Sequence, residues 1–361
     1  MQIIQLTNLN QQVVLQVAQK VLAARGLMIF PTETTYGIGV IATSEAAVKR
    51  LLTYKSRREG KPLSIAVADQ AMAERFVILN EQARVLYKQL LPGPVTVISQ
   101  AKLGMLAPGV VSEFGTLGVR IPDYPFVLEL VKLLGKPITA TSANGSGKPR
   151  PYSVAALLSN LTVKQRSLID LVLDAGTLPT NPPSTVIDTT LSTPVTLRQG
   201  AIVVDGSDTR TILRSNSLEE TKRIAGKLCL QHWDAVAKSG LVFALDGPLG
   251  AGKTVFAQGV AEFLGVRERL TSPTYSYMQE YPFARHQTTG TLYHCDFWKI
   301  DAQATFERLE LASVLGSSKV VVIEWFAQVQ EYLQPLLAGY TSRLVHVQIG
   351  ETPTGRTLTL A

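Results

Sequence analysis

From the N-terminus to residue 206, short apolar runs alternate with amphipathic stretches. The runs GLMIF (26–30), VTVIS (95–99), LGVRI (117–121), PITAT (137–141), LVLDAG (171–176) and STVID (184–188) read as strands. They are short, rich in branched residues and bounded by Gly or Pro. Helical spacing falls between them at 13–25, 44–54, 80–91, 126–134 and 153–160, with Ser44 before Glu45 as a helix start. AIVVDG (201–206) reads as a closing strand, and the polar stretch SDTRTILRSNS (207–217) reads as a linker. Beyond it the pattern predicts a helix at 218–233, a strand at 241–246, a helix at 254–264 and a strand at 320–325. The halves share no motif and no internal repeat. The expectation is therefore two unrelated α/β domains, 1–206 and 218–361, joined by a linker at 207–217.

Composition adds little to this picture. A chain of 361 residues is long for one domain, and 46% hydrophobic residues can fill two cores. The net charge of +7 suits an anionic ligand or a nucleic acid, though charge alone is a weak pointer. The two cysteines, Cys229 and Cys295, fit neither a disulfide framework nor a zinc site. No segment approaches eighteen uninterrupted apolar residues. The expectation is a cytoplasmic protein with no membrane contact.

Candidate chemistry is sharpest at LDGPLGAGKT (245–254), where Gly247, Gly252, Lys253 and Thr254 complete G-x-x-x-x-G-K-[ST]. Glycines let backbone N–H groups converge on phosphate oxygens, and the following helix aims its positive end at the same charge. Lys253 is expected to reach the β- and γ-phosphates, and Thr254 a magnesium ion. A P-loop needs a further acid. Glu324, ending the run VVVIE, and Asp296, in LYHCDFWKI, are the candidates. His294 and Cys295 beside Asp296 read as packing residues, because two adjacent side chains do not make a metal site.

No P-loop precedes residue 206, yet polar groups gather at the ends of the predicted strands. FPTETTYGIG (30–39), YKSRREGKP (54–62), GTLGVR (115–120), TSANGSGKPR (141–150), STV (184–186) and LRQG (197–200) supply hydroxyls, lysines and arginines. Together they describe a concave surface of donors able to hold a triphosphate without a P-loop, or equally an RNA backbone.

The C-terminal motifs GPLGAGKT, SPTYSYMQEY (272–281), LYHCDFWKI (292–300) and IEW (323–325) resemble the TsaE family. That family comprises small P-loop ATPases that support tRNA threonylcarbamoyladenosine synthesis. The resemblance implies ATP held by Gly247, Gly250, Ala251, Gly252, Lys253 and Thr254, with Thr274 close by. It also implies Mg²⁺ on Thr254 and Glu324, and Asp296 as a residue needed for hydrolysis. Phe326 stands where the family usually has Pro, and Trp298-Lys299 where it has Tyr-Arg.

The N-terminal motifs PTETTYG, Lys55-Ser56-Arg57, LPGPVT, GTLGVRIP, Ser142-Ala143-Asn144, STV and LRQGAI resemble, in order, the YrdC-like threonylcarbamoyl-AMP synthases, called TsaC in bacteria. The resemblance implies a twisted mixed-sheet domain with a concave cleft, followed here by a P-loop NTPase-like domain. It implies synthesis of threonylcarbamoyl-AMP and pyrophosphate from L-threonine, bicarbonate and ATP. Arg57, Lys61, Thr116, Ser142, Asn144, Arg150 and Arg198 are expected on ATP, and Thr34, Arg120 and Ser184 on threonine. Lys55 and Arg57 are expected to serve the phosphate chemistry. Ala66 replaces a histidine found in some relatives. The implied partners are TsaD- and TsaB-type proteins of the tRNA-modifying complex, and tRNA itself is a further candidate. Two rivals remain on this reading: an RNA-binding protein with a regulatory ATPase domain, and a module whose N-terminal half only senses nucleotide.

Overall fold

The computed structural model describes residues 1–7, 10–55, 62–145, 148–202, 211–273, 276–300, 303–338 and 343–360. It divides into two compact units, Met1–Thr190 with Pro194–Asp205, and Leu191–Thr193 with Gly206–Ala361.

The first unit holds two mixed sheets. One runs in the order Gln2–Gln5, Leu171–Asp174, Met28–Phe30, Gly37–Gly39, Thr141–Ser142. The other runs Val195–Arg198, Thr185–Asp188, Val95–Ala101, Thr116–Arg120, Ser64–Ala66, Ile138–Thr139, with Val77–Ile78 also paired to Val95–Ala101. Met28, Ile29 and Phe30 are all buried, as expected of a strand covered on both faces. The helix Gln11–Ala23 buries Val14, Leu15, Ala18 and Leu22, the stripe its spacing predicts. Pro125–Leu134 starts with Pro at the position where a missing N–H costs nothing, and stops at left-handed Gly135.

The expected strand at 137–141 is two strands in two different sheets. Ile138–Thr139 pairs Ser64–Ala66, and Thr141–Ser142 pairs Gly37–Gly39. The chain crosses between sheets here, which carries Ser142 to the site described below. Gly37–Gly39 and Ser64–Ala66 are too short, and the first too glycine-rich, to register as hydrophobic runs.

The second unit is one seven-stranded sheet: Thr211–Ser215, Gly355–Leu360, Arg343–Thr352, Leu241–Asp246, Lys319–Glu324, Thr288–Asp296, Met278–Arg285. Leu241–Asp246 is buried throughout and pairs in parallel with both neighbours. Part of the expected linker is therefore a strand, since Thr211–Ser215 pairs antiparallel with Gly355–Leu360. Its polar composition suits a sheet edge, with Leu213 inward and Ile212 outward. The rest of that stretch up to residue 210, and most of the expected closing strand at 201–206, lie outside the described residues; Ala201 and Ile202 are not in a strand. Among the described residues, no helix is long and apolar enough to cross a membrane.

Candidate active sites

In the first unit, strand ends from both sheets converge on one cavity of ≈ 180 Å³. Arg120, Arg150 and Arg198 line it together with Thr34, Ser142 and Ser184. Arg120 ends Thr116–Arg120, and Arg198 ends Val195–Arg198. The Arg198 fork donates from Nε (3.0 Å) and Nη2 (2.9 Å) to the Ser184 carbonyl, and from Nη2 to Ser184 Oγ at 2.8 Å. Ser184 Oγ in turn meets Thr96 Oγ1 at 3.1 Å. Partial desolvation, and then the positive charges of Arg150 and Arg120, lower the Arg198 guanidinium from its ordinary value. Such a cluster of cations and hydroxyls is built for an anion. Arg120 pairs with Glu33, a residue that sequence reasoning passed over.

Lys55 does not line this cavity. Its ammonium donates to the carbonyls of Ser142 and Asn144, each at 2.7 Å. The neighbouring Tyr54 hydroxyl donates to the Ala143 carbonyl at 2.6 Å. The end of helix Glu45–Lys55 thus pins three consecutive carbonyls of the loop that presents Ser142. Lys55 was expected to serve the phosphate chemistry; in the structure its ammonium braces this loop. Lys55→Met keeps the stem but strips two carbonyls of a charged donor, a loss of about 2–3 kcal/mol. Calorimetry is expected to show the corresponding transition fall by about 5–10 °C, and an unchanged transition would refute this role.

Asn144 and Thr116 likewise lie off the cavity lining. Asn144 accepts from Ser142 Oγ at 2.6 Å and donates to the Lys148 carbonyl. Thr116 sits at the far end of its strand from Arg120 and meets Ser112 Oγ at 2.6 Å. Both were expected on ATP; in the structure they make these local hydrogen bonds. Ala66 is buried and paired with Arg120 on the neighbouring strand. Arg57 and Lys61, also expected on ATP, lie outside the described residues, as does Thr274 of the second unit.

The second unit carries a complete P-loop between the strand Leu241–Asp246 and the helix Lys253–Leu264. Two glycines are obligatory here. A Cβ on Gly247 would lie 2.2 Å from the Ile349 carbonyl oxygen, and Gly252 has φ 104° with Arg356 Nε 2.7 Å from where a Cβ would sit. Gly250 also takes a positive φ, and the Ala251 carbonyl accepts from Arg356 Nε at 2.8 Å.

Lys253 is buried, donates to the carbonyls of Gly247 (2.8 Å) and Pro248 (2.9 Å), and lies 3.7 Å from the centre of the Trp325 ring. Burial lowers its ammonium from the usual lysine range, against the pull of Glu324, Asp296 and Asp246. Trp325 is held at φ 62°, an uncommon conformation for a bulky residue, and its ring meets Trp298 at 4.4 Å.

Thr254 Oγ1 donates to Glu324 Oε2 at 3.1 Å. A hydroxyl and a buried carboxylate so placed, next to the phosphate loop, are a donor set that fits Mg²⁺. Asp296 and Glu324 are register partners at the ends of adjacent parallel strands. Asp296 accepts from the Ser272 hydroxyl and from the Trp298 N–H. His294 is fully buried, with Nε2 2.8 Å from Glu324 Oε1 and Nδ1 3.2 Å from the Thr271 carbonyl. It packs as expected, but it also fixes the acid. Asp246 was missed altogether: it accepts from the Ala327 N–H at 2.8 Å and meets His346 Nε2 at 2.7 Å, tying the strand end to the helix Phe326–Ala338. The signal available was the strand-end position next to Gly247. Among the described residues, no group of three or more His, Cys, Asp and Glu side chains could hold a metal.

The folds and sites define an α/β protein with a P-loop NTPase unit and a second, arginine-lined anion site on a different scaffold. Residues 20–200 match the family of Sua5, YciO and YrdC proteins, described as telomere recombination. Residues 215–357 match the family described as threonylcarbamoyl adenosine biosynthesis protein TsaE. A putative threonylcarbamoyl-AMP synthase of Methanocaldococcus jannaschii is 34% identical over 205 residues, 56% of this chain and 94% of that one. The threonylcarbamoyl-AMP synthase of Bacillus subtilis is 35% identical over 190 residues, 52% of this chain and 54% of its own length. The chain thus spans about half the length of the latter relative. P. abyssi Sua5 complexed with L-threonine has the same fold, with a TM-score of 0.53 at 23% identity, covering 96% of this chain and all of that one. The chain belongs to the Sua5–YciO–YrdC family and carries a TsaE domain behind its family domain.

Proposed function

We propose that the chain is a bifunctional enzyme of tRNA threonylcarbamoyladenosine biosynthesis. Its first unit makes threonylcarbamoyl-AMP and pyrophosphate from L-threonine, bicarbonate and ATP. Its second unit is an ATPase that supports the transfer of the threonylcarbamoyl group to tRNA. The observation that carries this reading is the convergence of Arg120, Arg150 and Arg198 on one hydroxyl-rich cavity, in a chain with a separate, complete P-loop. The synthase names of the relatives, and the L-threonine of the P. abyssi complex, support it.

In this reading Thr34, Arg120 and Ser184 hold threonine, with the Arg120 fork on its carboxylate. Ser142, Arg150 and Arg198, with Arg57 and Lys61, hold the nucleotide. The threonine amine, as its free base, displaces water from bicarbonate to give a carbamate, whose oxygen attacks the α-phosphorus as pyrophosphate leaves. No covalent enzyme intermediate is needed, so positioning and fixed positive charge supply most of the rate. In the second unit Lys253 neutralises phosphate charge, and Asp296 serves hydrolysis. Thr254 and Glu324 would hold a magnesium ion, which supplies further positive charge to the phosphates. The working setting is the cytoplasm, and the partners are TsaD- and TsaB-type proteins. The domains divide near residue 206.

The test is to incubate the full chain with ATP, L-threonine and bicarbonate and to look for the adenylate by mass and for pyrophosphate. Adenylate that needs all three substrates supports the reading. The absence of adenylate and of threonine-dependent pyrophosphate would sink it in favour of a nucleotide sensor or an RNA-binding module.

A further inference from the structure

The ionisable groups lining the first cavity are all arginines, and no acid lines it among the described residues. An α-amino acid brings a carboxylate, which such a wall welcomes, and an ammonium, which it repels. Glu33 is the acid in contact with this set, through its Oε1 on Arg120 Nη2 at 2.5 Å. The pair is mismatched. A fork-to-fork pairing would use both carboxylate oxygens and a second guanidinium nitrogen. Here Glu33 Oε2 and Arg120 Nε are both buried and without a hydrogen-bond partner among the described residues. The two side chains are largely buried, at 15% and 12% exposure, and the orphan atoms themselves are shut off from solvent, so each carries a desolvation cost that a ligand relieves by parting the pair. The backbone does not leave Glu33 free to swing away. Asn181 Nδ2 donates to its carbonyl at 2.7 Å, and the next residue's N–H reaches Thr32 Oγ1 at 3.3 Å.

One orphan acceptor and one orphan donor, of opposite charge and in mutual contact, complement a zwitterion. We propose that Glu33 is the anchor for the α-ammonium of the amino-acid substrate, acting as an opposite-charge pair with Arg120, which takes the carboxylate. This rests on the reading of the cavity as a threonine site and adds to it the group that selects an α-amino acid over other hydroxy-carboxylates.

The test uses the full chain and two ligands, L-threonine and 3-hydroxybutanoate, which is threonine without its amine. Binding is measured by titration calorimetry, with a non-cleavable ATP analogue present and bicarbonate omitted. The wild-type chain is expected to prefer threonine. Glu33→Gln is expected to lower threonine affinity about tenfold, the worth of a charged hydrogen bond, while 3-hydroxybutanoate binding stays within about twofold. Glu33→Asp, which keeps the charge, is expected to retain part of the preference and serves if the glutamine variant does not fold. Equal weakening of both ligands would mean that Glu33 only orients Arg120, and tighter binding of both would mean that it only competes for Arg120. Either result overturns the proposal. So does a wild-type chain that binds both ligands equally. A wild-type chain that binds neither removes the threonine reading itself, and the anchor with it.

Discussion

Lys253→Ala is expected to stop ATP hydrolysis by the second unit and to leave adenylate synthesis untouched. The Lys253 ammonium is buried at the start of the helix Lys253–Leu264, fixed by the Gly247 and Pro248 carbonyls and by the face of Trp325. Those contacts hold a positive charge against the P-loop backbone. The charge matters most as negative charge redistributes over the transferred phosphoryl group, so its loss falls on the transition state. A reduction of about a thousandfold in phosphate release is the expectation, since deleting one preorganised donor costs about a hundred- to a thousandfold and here a full charge goes. The assay is run with the TsaD- and TsaB-type proteins proposed above as partners. Adenylate formation is then followed by mass in the same preparation. The first cavity has its own arginines and does not use the P-loop. If a folded Lys253→Ala chain lost both activities, the account of two separate ATP sites would fail.

The P-loop was legible because its chemistry is local. Strand, glycines, lysine and threonine are contiguous, so spacing alone places them. Glu324 was legible for a related reason, as the acid that ends a buried strand. The strands around them were harder to read. Met278–Arg285 and Thr288–Asp296 alternate polar and apolar residues imperfectly around Pro282 and Gly290, and they are held by pairing to each other and to Lys319–Glu324. Without those strands, His294 read as packing rather than as the group that fixes Glu324. In the first unit the arginines were visible as residue types, but their convergence comes from tertiary pairing. The crossing of 138–142 from one sheet to the other delivers Ser142, and no periodicity announces such a switch. Lys55 shows what composition leaves out. A lysine in a basic run reads as a phosphate ligand, and its contacts with two backbone carbonyls come only from the fold. Glu33 was hidden among threonines, and only its pairing with Arg120 gives it meaning.

Arg198→Ala is expected to reduce adenylate synthesis about a hundredfold, the upper end for losing charged hydrogen bonds. Two effects act together. The guanidinium is one of three that line the cavity. It also holds Ser184 by its carbonyl and its hydroxyl at once. Removing it therefore takes a charge from the proposed nucleotide site and releases Ser184, the side chain proposed on threonine. Arg198→Lys separates the two. A lysine keeps the charge, but a single ammonium on a flexible stem does not reproduce a planar fork that spans a carbonyl and a hydroxyl. The lysine variant is expected to recover about tenfold of the loss in kcat/KM for ATP, while KM for threonine stays raised because Ser184 remains loose. Pyrophosphate release, measured while ATP and threonine are varied in turn, reads both constants. Should Arg198→Ala keep full activity, the nucleotide does not lie along this side of the cavity. Should Arg198→Lys match the wild type in both constants, the fork on Ser184 is incidental and only the charge is used.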